Sequence, residues 1–130
     1  MRLTAQKPSA VSAERAERMS RSRASAVALR AAYPSVHQLR LELNFEGVSS
    51  HSPSAQSHLL YPSARAFFEF PCPHAGCDGE FDLTAVVQRT VADETHTSQG
   101  TMACSGSRAF DHGSRQPCGL HLKYSVTALF

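Results

Sequence analysis

The sequence predicts an α+β fold: an antiparallel sheet of about four strands with one packed helix, a metal site at one sheet end, and an N-terminal helical arm. Three observations predict it. His37 to Glu46 and Cys118 to Phe130 alternate apolar and polar side chains with a period of two, the mark of strands with one wet face. Between them, Leu83, Val86, Val87 and Val91 form a single apolar stripe at helical spacing. Four cysteines fall in two pairs at the ends of predicted strands.

At 130 residues, 42% of them hydrophobic, the chain has material for one modest core, in a size range where a staple adds useful stability. The organisation expected is a basic arm over residues 1–32, partly helical, and a single metal-stabilised domain over 33–130. Residues 1–32 carry seven basic side chains against two acidic ones, a net +5, whereas 33–130 are net −3. Such an arm suits a polyanionic partner, with Arg15, Arg18, Arg21, Arg23 and Arg30 as the candidate phosphate contacts. The plain alternative is a solvated leader. Good helix formers run from Ser9 to Ala32 and stop at Pro34, with apolar periodicity only in VALRAAY. An ordered helix is therefore expected near 22–32, with a frayed segment before it.

In HQLRLELNFE, Leu39, Leu41, Leu43 and Phe45 share one face. The Ser-rich stretch GVSSHSPSAQSHLLYPS reads as a long polar loop, and His51 and His58 as ordinary loop histidines. ARAFFEF reads as the second strand. Phe81-Asp82-Leu83 opens the helix, with Asp82 as a candidate cap and Phe81 stapling onto Val86. ADETHTSQG is a polar link, TMACSG a short strand, and SRAFDHGSRQP a loop before the last strand.

The cysteines are spaced Cys72-x4-Cys77, then 26 residues, then Cys104-x13-Cys118. The first pair sits on a tight turn, CPHAGCDG, whose glycines permit sharp dihedrals. The second pair fits the base of a hairpin, where residues far apart in sequence stand opposite each other. No long apolar run and no apolar signal core are present. The sequence thus predicts a cytoplasmic protein without a membrane span, whose reduced thiols are ligands rather than disulfides. Four soft thiolates in a tetrahedron favour Zn2+, with an iron–sulfur cluster, and disulfides or free thiols, as alternatives. His74, His112 and His121 are the substitute ligands to weigh, and all three are expected to be surface or loop histidines. Four thiolates with one divalent ion add −2 to the formal +2 of the chain, so only the arm argues for a polyanion.

CPHAGC with its following glycine and aromatic resembles one knuckle of a zinc ribbon, chiefly over residues 72–81. Two features depart from that pattern: the second pair is split by a long loop, and a helix lies between the pairs. The resemblance implies a structural four-cysteine zinc site and binding work. The basic start with CP-x3-C-x-G-x-FDL and a closing PCGL strand is also similar to short bacterial proteins, a likeness that carries no activity with it. No nucleophile elbow, P-loop, H-E-x-x-H or Cys/His nucleophile pattern is present, and no small-molecule site is evident. The expected function is therefore non-enzymatic: a nucleic-acid or ribonucleoprotein accessory working through its basic arm. Two alternatives stand beside it, a protein–protein adaptor on a larger assembly and a redox or metal sensor.

Overall fold

The computed structural model describes residues 10–47, 53–109 and 115–130. Its centre is a four-stranded antiparallel sheet. In chain order its strands are β1 (Gln38–Glu46), β2 (Ser54–Leu60), β5 (Thr97–Ala103) and β8 (His121–Leu129), and across the sheet they run β2-β1-β8-β5. The two alternating segments meet at its middle, with Leu41 opposite Val126 and Phe45 opposite Leu122. Leu39, Leu41, Leu43 and Phe45 of one and Leu122, Val126 and Ala128 of the other are fully buried and Tyr124 partly so, while Arg40, Glu42 and Lys123 remain in water. One such face, once covered, fixes the register, because a slip of one residue would turn every leucine outward.

Helix α3 (Thr84–Ala92) lies over that apolar face, against β8 and β5. Val86 and Val87 are buried, and the Thr90 hydroxyl donates to the Val86 carbonyl at 2.7 Å. The helix starts two residues later than Asp82. That carboxylate nevertheless accepts from the Thr84 amide (2.9 Å) and hydroxyl (2.5 Å), which ties down the helix start. Phe81 is buried against Phe45, with ring centroids 5.6 Å apart.

Several sequence expectations change. The stretch read as a polar loop contains β2, which pairs with β1 from Phe45–Ser54 to Leu39–Leu60, so His58 is a strand residue. His51 lies outside the described residues. ARAFFEF does not join the main sheet. Only Glu69–Pro71 is extended, as β3, pairing with β4 (Glu80–Asp82) in a separate two-stranded ribbon. The sheet thus has four strands, but β2 takes the place expected for residues 64–70. The polar link already belongs to β5 from Thr97. The loop before the last strand holds a second ribbon, β6 (Ser107–Ala109) with β7 (Arg115–Pro117).

The N-terminal helix also differs. It is α1, Ala10–Ser25, followed by the short α2, Leu29–Ala32. The earlier segment, read as frayed, is helical because it is docked: Met19 and Leu29 are buried, and α1 packs against β3. Its own apolar periodicity is too weak to reveal this, since a tertiary contact supplies the stabilisation. Among the described residues no helix is long and apolar enough to cross a membrane.

Candidate metal centre

Cys72 follows β3, Cys77 closes the turn to β4, Cys104 follows β5, and Cys118 lies between β7 and β8. The sheet and its two ribbons bring all four to one place. Their sulfurs lie within 4.8 Å of one another, and all four are free thiols. Two contacts cross between the arms: Cys72 Sγ to Cys118 Sγ at 3.8 Å and Cys77 Sγ to Cys104 Sγ at 3.5 Å. A disulfide would need about 2.05 Å. A tetrahedron of thiolates with metal–sulfur bonds of about 2.3 Å has edges of about 3.8 Å. The four cysteines predicted as ligands thus form a cluster that could hold one metal ion.

The two arms, Cys72–Cys77 and Cys104–Cys118, carry the same backbone pattern. In each, the first cysteine donates its N–H to the carbonyl two residues beyond the second: Cys72 to Gly79 at 2.9 Å, Cys104 to Leu120 at 2.8 Å. The second donates to the carbonyl two residues beyond the first: Cys77 to His74 at 3.0 Å, Cys118 to Gly106 at 3.1 Å. Each sulfur then accepts an N–H from the residue two positions on. Gly79 donates to Cys77 at 3.3 Å and Gly106 to Cys104 at 3.4 Å, with His74 and Leu120 doing the same for Cys72 and Cys118. Four amides aimed at four sulfurs favour thiolates over thiols. The arms are stitched together by the Asp78 amide on the Ser107 carbonyl (3.2 Å) and the Ser107 amide on Asp78 Oδ1 (2.8 Å).

Two glycines set the closeness of the arms. A Cβ on Gly79 would stand 2.4 Å from Cys104 Sγ, and one on Gly106 would stand 2.4 Å from the Gly79 backbone. Backbone lies directly on backbone beside the sulfurs, which only glycine allows.

In the metal-free protein the thiols do not titrate alike. Burial pushes Cys72 up, and it pushes Cys77 up to about 11. Burial opposes ionisation at Cys118 too, but the Leu120 amide and the neighbouring thiols outweigh it and pull that group down. Negative charge therefore gathers first on Cys118.

His74 is a loop histidine, in the turn between β3 and β4. It is buried, and its Nδ1 lies 3.2 Å from Cys118 Sγ. It sits beside the ligands as a hydrogen-bonding neighbour rather than among them. Its position two residues after Cys72 was the available signal. His121 is exposed, and His112 lies outside the described residues.

The five arginines do not form a common row. Arg15 Nη1 donates to the carbonyls of Cys77 and Gly79, both at 2.8 Å, and Arg18 pairs with Glu80. These two hold α1 onto the first arm. Arg21 pairs with Glu17 on the exposed side of α1 at 3.1 Å. Arg23 lies over the Phe67 ring, 5.0 Å from its centroid, and Arg30 is exposed on α2. No protein-family model, curated protein or solved structure matches the chain, so the geometry carries the functional argument.

Proposed function

We propose that this is a zinc-stabilised, non-enzymatic binding protein in which a closed site of four cysteines locks one end of the sheet and seats the N-terminal helix. The observation that carries the reading is the set of four sulfurs at tetrahedral spacing, each with its own backbone donor. Zn2+ suits four thiolates in a tetrahedron. An iron–sulfur cluster suits the spacing poorly, because its iron and sulfide atoms must stand between the thiolates. Four protein ligands leave no coordination position for water or substrate, which supports a structural role for the ion.

The pattern of paired turns supports the zinc-ribbon likeness at the level of the knuckles. For the partner, the exposed Arg21, Arg23 and Arg30 support a surface facing a polyanion such as nucleic acid, whereas Arg15 and Arg18 are engaged within the fold. A gel-shift titration at two salt concentrations checks this, and salt-indifferent affinity would refute it.

The test of the metal reading is native mass spectrometry with and without a chelator, followed by thermal unfolding. One zinc per chain is expected. Its removal should lower Tm by on the order of 10 °C, since an ion whose Kd lies well below its free concentration adds several kcal/mol. A metal-free protein of unchanged Tm would overturn the reading.

A further inference from the structure

A cleft of about 480 Å3 opens at the sheet edge away from α3, between β2, the end of α1 and the chain around Phe67 to Pro71. Its size falls within the range of small-molecule sites, about 300–1,000 Å3. Leu41, Leu60 and Phe70 give it an apolar lining. Arg23 and Arg65 supply two guanidinium groups, and no acidic residue lines the cleft among the described residues.

Both guanidinium groups are held in place without a carboxylate. Arg65 Nη1 donates to the Ala26 carbonyl at 2.9 Å, and Arg23 rests on the Phe67 ring. Among the described residues neither has an acidic partner. A cation–π contact and one backbone acceptor leave most guanidinium N–H donors available to an anion.

The register adds a second, independent sign. Gln56 and His58 of β2 stand opposite Leu43 and Leu41 of β1, on the face that β1 fills with Leu39, Leu41, Leu43 and Phe45. An edge strand serving only the core would be apolar there, and polar residues on an inward face mark function more often than packing. The His58 ring lies 4.8 Å from Phe70, and its Nε2 is 3.0 Å from Gln56 Oε1. Burial, and then the Arg23 charge, hold His58 below the usual imidazole range. At neutral pH it is thus an uncharged hydrogen-bonding group.

We infer that this cleft binds a small amphipathic anion, a carboxylate or phosphate head on an apolar body. The head sits between Arg23 and Arg65, the body lies on Leu60 and Phe70, and His58 with Gln56 reads a polar group along the wall. The inference stands apart from the metal site, which lies elsewhere in the fold.

The experiment is an amide-resolved NMR titration of the full-length, zinc-loaded protein. The probes are 4-phenylbutyrate and phenyl phosphate, each beside a neutral counterpart (4-phenylbutanol and benzyl alcohol). At least one anion should saturate with a Kd of about 1 mM or tighter, with shifts confined to β2, residues 65–71 and the end of α1. Its neutral counterpart should bind at least about tenfold more weakly. Arg23→Gln, whose spectrum away from the cleft should match the parent's, should weaken the anion about tenfold. Gln56→Trp, which fills the cleft, should abolish binding. Binding of the neutral compounds with equal affinity, shifts outside the cleft, or no saturation by either anion would each overturn the inference. So would a single-stranded oligonucleotide that binds this surface when neither small anion does, since the site would then be a polyanion surface.

Discussion

The two cysteine arms reach the same hydrogen-bond pattern from unequal lengths of chain. The first spans Cys72-x4-Cys77 and the second Cys104-x13-Cys118, yet corresponding amides meet corresponding carbonyls and sulfurs in both. What sets a knuckle is therefore the pairing of strands at its base rather than the number of residues in its loop. In the second arm the extra residues include the β6–β7 ribbon, which closes before Cys118. The supports differ as well. The first arm is braced from outside by α1 through Arg15 and Arg18, while the second is continuous with β5 and β8 of the sheet. The lesson is that four cysteines can share matching backbone environments although a sheet supplies two of them across a long insertion.

The sharpest way to break the equivalence is to remove one ligand from each arm. Cys77→Ser and Cys118→Ser should each abolish stoichiometric metal binding and lower Tm by about as much as chelation does, on the order of 10 °C. Unequal losses, with one variant keeping full zinc occupancy, would show that the arms do not share one ion.

Gly79→Ala tests the approach of the arms to each other. The new methyl would stand 2.4 Å from Cys104 Sγ and 3.0 Å from the Gly106 amide nitrogen, so sulfur or backbone must move. A fall in zinc affinity of about 10- to 100-fold is expected, as for other disturbances around a ligand set, and competition with a chromophoric chelator reads it.

Arg15→Ala probes the support that only the first arm has. It deletes two charged hydrogen bonds to the Cys77 and Gly79 carbonyls, worth about 2 kcal/mol in a partly exposed setting. Tm should fall by several degrees, and limited proteolysis should cut within α1 sooner, while zinc stays bound.

The smallest effect is acid–base. In the chelated protein the folded-state thiol of Cys77 is raised to about 11, and Cys72 is raised too, whereas Cys118 is lowered. Thiolate absorbance should therefore appear in steps, Cys118 ionising before Cys72 and Cys77. Because the raised thiols keep their protons in the folded state longer than in the unfolded chain, their contribution to metal-free stability is complete below pH about 8.5. It is lost as pH rises through 11. Metal binding displaces those protons, so zinc affinity should instead increase with pH. Metal-free stability that rose over the same window would contradict the assignment.

Much of the fold was legible because two long strands alternate cleanly. Leu39 to Phe45 and Leu120 to Ala128 announce their period and their buried face, and the α3 stripe announces its own. β2 was hidden for a physical reason: its inward positions Gln56 and His58 face a cleft, so the apolar alternation that identifies a strand is absent. The cleft itself escaped notice because its lining comes from α1, β1, β2 and residues 65–71, which no local pattern joins. His74 was legible only as a histidine inside a cysteine turn. That it would be buried beside Cys118 depends on an arm forty-four residues away.

Residue chemistry alone determined that four thiols, two half-wet strands and one amphipathic helix would have to be reconciled in a single small domain. Which sulfurs face which, that two arginines of the basic segment turn inward to the first arm, and that an edge strand shows polar groups to an apolar hollow were decided by the tertiary structure. The reason is one of range. Periodicity and side-chain type act over a few residues, whereas a tetrahedral site and a lined cleft exist only where chain segments distant in sequence converge.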